Sequence, residues 1–399
     1  MHAKIMNFCI YEPRRYHELP IMLRRGRGAY VYDTDGRRFM DLLSVCSALG
    51  QGHAHPRIVA AARAQLGRLT LTSRSFHHDR LDPLLRRLCR LTKMQRAMLM
   101  STGGEAVEMA IKAMRQWGYR VKAIARNKAV VLVARGNFHG RTTTIAGFSD
   151  DPATRENFGP PTPGFKSIPY GDGASLEAAI TDSTCGFLVE PIQGEAGVRL
   201  PPAGYLREIR KICSRRKVLL CFDEIQTGLG RTGRMFCADH ESVHPDMFII
   251  GKSLSGGVYP VSAVVASAEI LDLFVPGSHC STYGGSPVAC AAAMAALDVI
   301  IKQRLPGRAE KLGGYFLRRL KTLRHPRLRE VRGRGLLLAM EFARPLARRF
   351  CDIFLRHGFL TKVSHERIVR LSPPLIITRR QIDQAFSAIA ATLKELEND

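Results

Sequence analysis

With 399 residues, 45% of them hydrophobic and 24% charged, the chain has ordinary globular composition and enough length for two domains. No apolar run approaches the roughly eighteen residues of a membrane span, and Met1 to Asn7 lacks the apolar core of a secretory signal, so a cytoplasmic protein without a membrane partner is expected. A net charge of +25 raises nucleic acid as a partner, but the arginines are dispersed in pairs such as Arg24-Arg25 and Arg86-Arg87 with no basic block, so solvated basic faces and small anionic ligands are expected and no specific nucleic acid.

Taken in order, Arg27 to Asp41 shows two short runs around Asp35-Gly36, a β-hairpin pattern. His53 and His55 have a spacing seen in metal sites, but no third ligand lies nearby. Arg57 to Leu66 has helical spacing at Ile58, Ala61, Ala62 and Leu66. Next, a short apolar segment at Met98 ends in Ser101-Thr102-Gly103-Gly104-Glu105, followed by Ala106, Met109, Ala110, Ala113 and Met114 on one helical face. Such a helix start is either an ordinary N-cap or an anion cradle, because its backbone N–H groups and the helix dipole both attract negative charge.

A strand over 129–134 runs into Gly136 to Thr142. There Phe138 either packs in the core or stacks on a flat ring, and Arg141 offers a planar fork to a carboxylate. Gly186 to Val189 leads to Glu190 and Glu195, which are either solvated loop charges or substrate contacts. Two further apolar runs, Val218 to Phe222 and Met247 to Ile250, deliver Asp223-Glu224 and Lys252 into glycine-rich turns. Short apolar runs followed by glycine indicate buried parallel strands, whose loops open on one sheet edge, where open α/β sheets bind ligands. Gly228 to Gly233 matches the G-x-G-x-x-G pattern, but it does not follow its strand directly and no helical periodicity follows it, which argues against a dinucleotide site.

After a strand over 262–267 comes Ser281-Thr282-Tyr283-Gly284-Gly285-Ser286-Pro287, then an Ala-rich helix from Val288 to Ile301 that Arg304 to Gly307 should break. The remainder, with strands over 336–342 and 368–371, reads as a smaller α+β domain, with Arg370 at a strand end. Ten scattered cysteines without a C-x-x-C pair are expected to be reduced thiols.

Lys252 and Asp223 are either a surface ion pair between a loop and a strand end or a pair with a specific chemical use. A lysine amine forms a Schiff base with an aldehyde, and a carboxylate keeps a pyridine nitrogen protonated so that the ring accepts electrons. The whole stretch resembles the core motif of the class III aminotransferases, and this resemblance implies a fold-type I pyridoxal-phosphate enzyme. The implied fold is α/β: a large domain with a mainly parallel sheet over 46–303, and a smaller α+β domain from 1–45 and 304–399. The resemblance implies that Lys252 carries pyridoxal 5'-phosphate, Asp223 partners its ring nitrogen, Gln226 bonds its ring hydroxyl, Phe138 stacks on it, and Gly103 and Gly104 hold its phosphate. Thr282 would reach the phosphate of a second subunit, which implies a homodimer with shared sites. The histidines at 53 and 55 become part of a structural loop.

Within the class the pattern is closest to the ornithine aminotransferases, over segments that include Tyr11 to Pro20, Leu69 to Arg74, Val189 to Gly197, Gly251 to Ala263 and Arg370 to Pro374. The implied reaction moves the terminal amine of ornithine to 2-oxoglutarate, giving glutamate semialdehyde and glutamate. Arg141 would hold the α-carboxylate with Tyr11 near the α-amine, and Glu195 would neutralise Arg370 until a dicarboxylate arrives. The sequence departs from that family at Cys46, a position where the family carries a tyrosine, which leaves acetylornithine, lysine or 4-aminobutyrate open as donors. A non-catalytic basic binding protein on the same fold is the alternative outside enzymology.

Overall fold

The computed structural model describes residues 18–397. Near the start, β1 (Leu23–Arg27), β2 (Tyr30–Asp33) and β3 (Arg38–Asp41) form an antiparallel meander. The expected hairpin is its second half. Asp33 closes the turn by accepting from the backbone N–H groups of Asp35 and Arg37 at 3.1 and 2.8 Å. β1 was not anticipated, because its Leu-Arg-Arg-Gly-Arg sequence carries no apolar alternation.

The large sheet contains β4 (Arg96–Met100), β5 (Val130–Ala134), β6 (Phe165–Ile168), β7 (Thr184–Val189), β8 (Leu219–Asp223), β9 (Met247–Ile250) and β10 (Ser262–Ala266), in the order β4-β10-β9-β8-β7-β5-β6. From β9 to β6 all pairs are parallel, as the apolar runs predicted. Alternate residues of these strands enter different cores. Leu220 and Phe222 of β8 belong to one cluster, Leu219 and Cys221 to another, and β9 divides the same way. Helix Gly103–Arg120 covers the second cluster's face, while Tyr205–Arg215 and Pro287–Lys302 cover the first. Burial on both faces is why the strands read as continuous apolar runs.

β10 runs antiparallel to both β9 and β4. The link over 251–261 holds only a short 3₁₀ turn, too little for the helical crossover that a parallel neighbour requires.

The last strands are β11 (Leu328–Arg334), β12 (Leu337–Phe342), β13 (Phe359–Leu360), β14 (Lys362–Ser364) and β15 (Ile368–Leu371). Four of them form an antiparallel sheet in the order β11-β12-β15-β14, while β13 pairs parallel with β3. Segments near residues 40 and 360 therefore share a sheet. The expected break after the Ala-rich helix is real but displaced. Arg304, at φ +50°, makes the turn, and Pro306 and Gly307 lie in the first turn of the next helix, Leu305–Leu320, where proline is tolerated.

Candidate active site

The carboxyl ends of β4, β5, β7, β8 and β9 open on one edge, and each delivers a polar loop there. Asp223 is the last residue of β8 and is buried. Its Oδ2 lies 2.8 Å from Nδ1 of buried His139, and its Oδ1 accepts from the Ile225 N–H at 3.0 Å. Lys252 follows β9 with φ +43°, a left-handed conformation that costs a non-glycine residue energy and is found at functional positions. Its amine makes no hydrogen bond or salt bridge among the described residues, yet its charge acts on both Glu190 and Glu195. Glu190 is buried and accepts from the Phe138 N–H at 3.2 Å; burial and the nearby Asp223 charge push its carboxyl well above the usual range.

Beside this cluster, Thr102 caps helix Gly103–Arg120. Its Oγ1 accepts from the Glu105 N–H at 3.2 Å, and the Glu105 carboxylate accepts from the Ser101 and Thr102 N–H groups at 2.7 and 3.3 Å. The capping box thus occupies the amides flanking Gly103 and Gly104 and leaves those two amides without partners among the described residues. Gly140, at φ +133°, lies so close that a Cβ there would meet the Gly104 Cα at 3.3 Å. This approach, with Thr142 Oγ1 donating to Glu108, lays the end of the Gly136–Thr142 loop against the helix start. Phe138 is half-buried, and the exposed Arg141 guanidinium lies 5.8 Å from its ring centroid.

A second cluster joins four segments distant in sequence. Arg370, at the end of β15, is buried, and its Nη1 donates to Glu195 Oε1 at 2.5 Å. Burial would raise the Glu195 carboxyl, but the Arg370 guanidinium overrides it and holds the group at about 2. Gln226 Nε2 donates to the same Glu195 oxygen and to the Cys46 carbonyl, both at 3.2 Å. Gly194 makes room for the Gln226 amide: a Cβ there would fall 1.3 Å from Oε1, so any larger residue would push the amide out of place. Cys46 Sγ accepts from Arg370 Nη2 at 3.2 Å.

Ten of the twelve expected site residues therefore fall into two adjacent clusters or at their rim. Thr282 is exposed and makes no hydrogen bond within its own chain among the described residues. Tyr11 lies outside the described residues. The histidine pair serves structure: His53 Nε2 sits 2.7 Å from Asp41 Oδ2, and its backbone exchanges two hydrogen bonds with Gly28. Gly228 to Gly233 wraps the buried Arg231, whose Nη1 donates to the Leu336 and Pro373 carbonyls at 2.9 and 2.5 Å, and no helix follows directly. His139 was not assigned a role from sequence, and Glu190 was left between a solvated loop charge and a substrate contact. Their only sequence signal is position, in the same strand-end loops as Phe138 and Glu195.

These donors suit pyridoxal 5'-phosphate on structural grounds. Two free amides at a helix start suit a phosphate, a lysine amine without a partner suits an aldehyde, and a buried carboxylate suits a ring nitrogen. Gln226 Oε1 is buried without a partner, a free acceptor that suits a ring hydroxyl as donor.

Comparison with known proteins agrees. The family model for class-III aminotransferases matches residues 11–393. The ornithine aminotransferase of Bordetella pertussis is 52% identical over 381 residues, spanning 95% of this chain and 92% of its own length. That of a Geobacillus species is 48% identical over 379 residues, 95% of both chains. Among solved structures, an ornithine aminotransferase from Toxoplasma gondii superposes with a TM-score of 0.95 at 42% identity, covering 97% of this chain and 93% of that one. An acetylornithine aminotransferase from Elizabethkingia anophelis superposes at 0.88 with 41% identity, covering 96% of each.

Proposed function

This chain belongs to the class-III aminotransferases, and we propose that within this pyridoxal-phosphate class it moves the terminal amine of ornithine to 2-oxoglutarate. The observation that carries the donor assignment is the buried Glu195–Arg370 pair. An arginine already neutralised by its own acid suits a donor that brings no second carboxylate, and it becomes a carboxylate site once the acid moves aside. The relatives from Bordetella and Geobacillus, named as ornithine aminotransferases, support the same reading.

The chemistry supplied by bound pyridoxal 5'-phosphate is an electrophilic carbon for the amine and a ring that accepts electrons. Gly103 and Gly104 would hold its phosphate through their amides, Phe138 would cover its ring, Gln226 would bond its ring oxygen, and Lys252 would anchor it. Asp223, oriented by His139, would keep a proton on the ring nitrogen. Lys252 Nζ, when not holding the cofactor, would be the base that moves a proton from the carbon bearing the reacting amine to the cofactor carbon on the far side of that nitrogen. Arg141, exposed at the rim, binds the α-carboxylate of ornithine with Tyr11 near its α-amine, and Arg141 and Arg370 together take the two carboxylates of 2-oxoglutarate.

Two further parts of the proposal concern assembly and place. Thr282 and the apolar side chains of Phe76 and Tyr283 are exposed, and His78 ties their two segments together through the Gly285 carbonyl at 2.9 Å. A second copy covering this face would bury them and bring Thr282 to the neighbouring site, making a homodimer. The nine described cysteines are all free, which suits the reducing cytoplasm. The divisions 1–45, 46–303 and 304–399 are retained as domains because β3 and β13 unite the ends.

A screen of amine donors with 2-oxoglutarate as acceptor tests the proposal. Ornithine should give the highest kcat/KM and a product that cyclises to pyrroline-5-carboxylate. Faster reaction with 4-aminobutyrate, lysine or N-acetylornithine would replace ornithine as the donor. The small side chain at Cys46 is the specific observation favouring such a donor.

A further inference from the structure

Cys46 occupies an unusual backbone. Ser44, Val45, Cys46 and Ser47 all have positive φ, at 51°, 49°, 53° and 77°, a left-handed turn built without glycine. Such a run costs energy at every residue, so it persists only where surroundings hold it. Asp41 Oδ1 accepts from the Leu43 and Ser44 N–H groups at 2.8 and 2.9 Å, Ser372 Oγ donates to the Leu43 carbonyl at 2.8 Å, and Ser253 Oγ, next to Lys252, donates to the Ser47 carbonyl at 2.8 Å. These four contacts hold the turn without Glu195, while a fifth, from Gln226 Nε2 to the Cys46 carbonyl at 3.2 Å, is shared with Glu195 Oε1.

The Arg370 guanidinium is gripped from two sides. Nη1 donates to Glu195 Oε1 at 2.5 Å and to the Gly194 carbonyl at 3.4 Å, while Nη2 donates to Cys46 Sγ at 3.2 Å. Its Nε is buried and has no partner, so the group has a donor to spare for a further acceptor. When an incoming carboxylate displaces Glu195, the contacts on Nη1 open but the grip on Nη2 does not have to. We infer that Cys46 is a positioning residue for the acceptor half of the reaction: its sulfur keeps Arg370 aimed at a dicarboxylate after Glu195 has withdrawn. The inference rests on the proposed function, since it needs a dicarboxylate acceptor.

The probe is glutarate, a dicarboxylate that cannot react, titrated calorimetrically into the holoenzyme. Cys46→Ala should weaken its Kd about three- to tenfold, the size of one ordinary hydrogen bond, because sulfur is a weak acceptor. KM for 2-oxoglutarate should rise by the same factor, with the loss in KM rather than kcat. Cys46→Ser, which restores an acceptor, should bind within about twofold of wild type. Glu195→Ala should enlarge the effect of Cys46→Ala, since sulfur is then the main remaining grip. If Cys46→Ala does not fold, methylthiolation of Cys46 in a Cys280→Ser background, mapped by peptide mass spectrometry, should give the same loss, reversed by dithiothreitol. Equal glutarate affinity in Cys46→Ala and wild type overturns the inference while leaving the proposed function standing. So does Cys46→Ser binding as weakly as Cys46→Ala, which would mean that the sulfur acts by packing alone. Wild type that binds no glutarate overturns both.

Discussion

Glu195 and Arg370 meet as an ion pair of 2.5 Å in which the arginine side chain is 2% exposed and the acid 22%. The guanidinium depresses the Glu195 carboxyl from 4.5 to about 2 against the opposing effect of burial. A depressed carboxyl stabilises the fold above its ordinary value and loses that contribution as pH falls through its folded one, so the pair is intact from about pH 4.5 upward and fails toward pH 2. At neutral pH protonation cannot open it, and a competing carboxylate is required. Glu195→Ala should therefore speed reaction with glutamate and lower selectivity for ornithine. The ratio of the two single-turnover rates should shift by about tenfold or more, the worth of a charged hydrogen bond. An unchanged ratio removes the gate.

Lys252→Ala should leave a folded protein with no covalent hold on its cofactor. Borohydride treatment of wild type followed by peptide mapping should find the cofactor on the peptide carrying Lys252. Retention on another lysine would reassign the anchor.

Asp223→Asn preserves the shape of the contact with His139 at 2.8 Å but removes the charge that holds a proton on a ring nitrogen. Cofactor should still bind, and turnover should drop by about a hundredfold or more. Near-normal turnover would mean that the acid only orients His139.

Glu224, next to Asp223, is buried and accepts from Thr227 Oγ1 at 2.5 Å and the Ala238 N–H at 2.9 Å. Burial lifts its carboxyl from 4.5 to about 7. With a raised folded value, the proton favours the folded state: the contribution is full below pH 4.5 and is lost as pH rises through 7. Wild-type stability should fall over that window by up to roughly 3 kcal/mol. Glu224→Gln has no proton to release, so its Tm should gain on wild type across the window. Parallel Tm curves for the two proteins would show that Glu224 does not titrate there.

Cys46→Tyr places a ring where a thiol now meets Arg370 and should narrow donor use toward ornithine. A contact of that size shifts discrimination between donors by about tenfold. The comparison is kcat/KM for ornithine, lysine, N-acetylornithine and 4-aminobutyrate in both proteins. Wild type that already rejects all but ornithine would make Cys46 neutral for donor choice.

Much of this was legible in the chain itself. Asp223 and Lys252 each follow a continuous apolar run, and Gly103-Gly104 stands between a cap and a helical stripe. Those signals are local: a strand buried on both faces must be apolar throughout, and a helix start must satisfy its own amides. What the tertiary structure alone decided are the contacts between distant segments. His139 and Asp223 are 84 residues apart and Cys46 and Arg370 324, whereas the Glu195–Arg370 pair, 175 apart, was already implied by the family resemblance. The antiparallel insertion of β10 and the left-handed turn at Cys46 also left no mark in apolar periodicity, which records only which face of an element is buried. It does not record which distant side chain will stand opposite, and that is set when three sheets pack and bring separate loops to one edge.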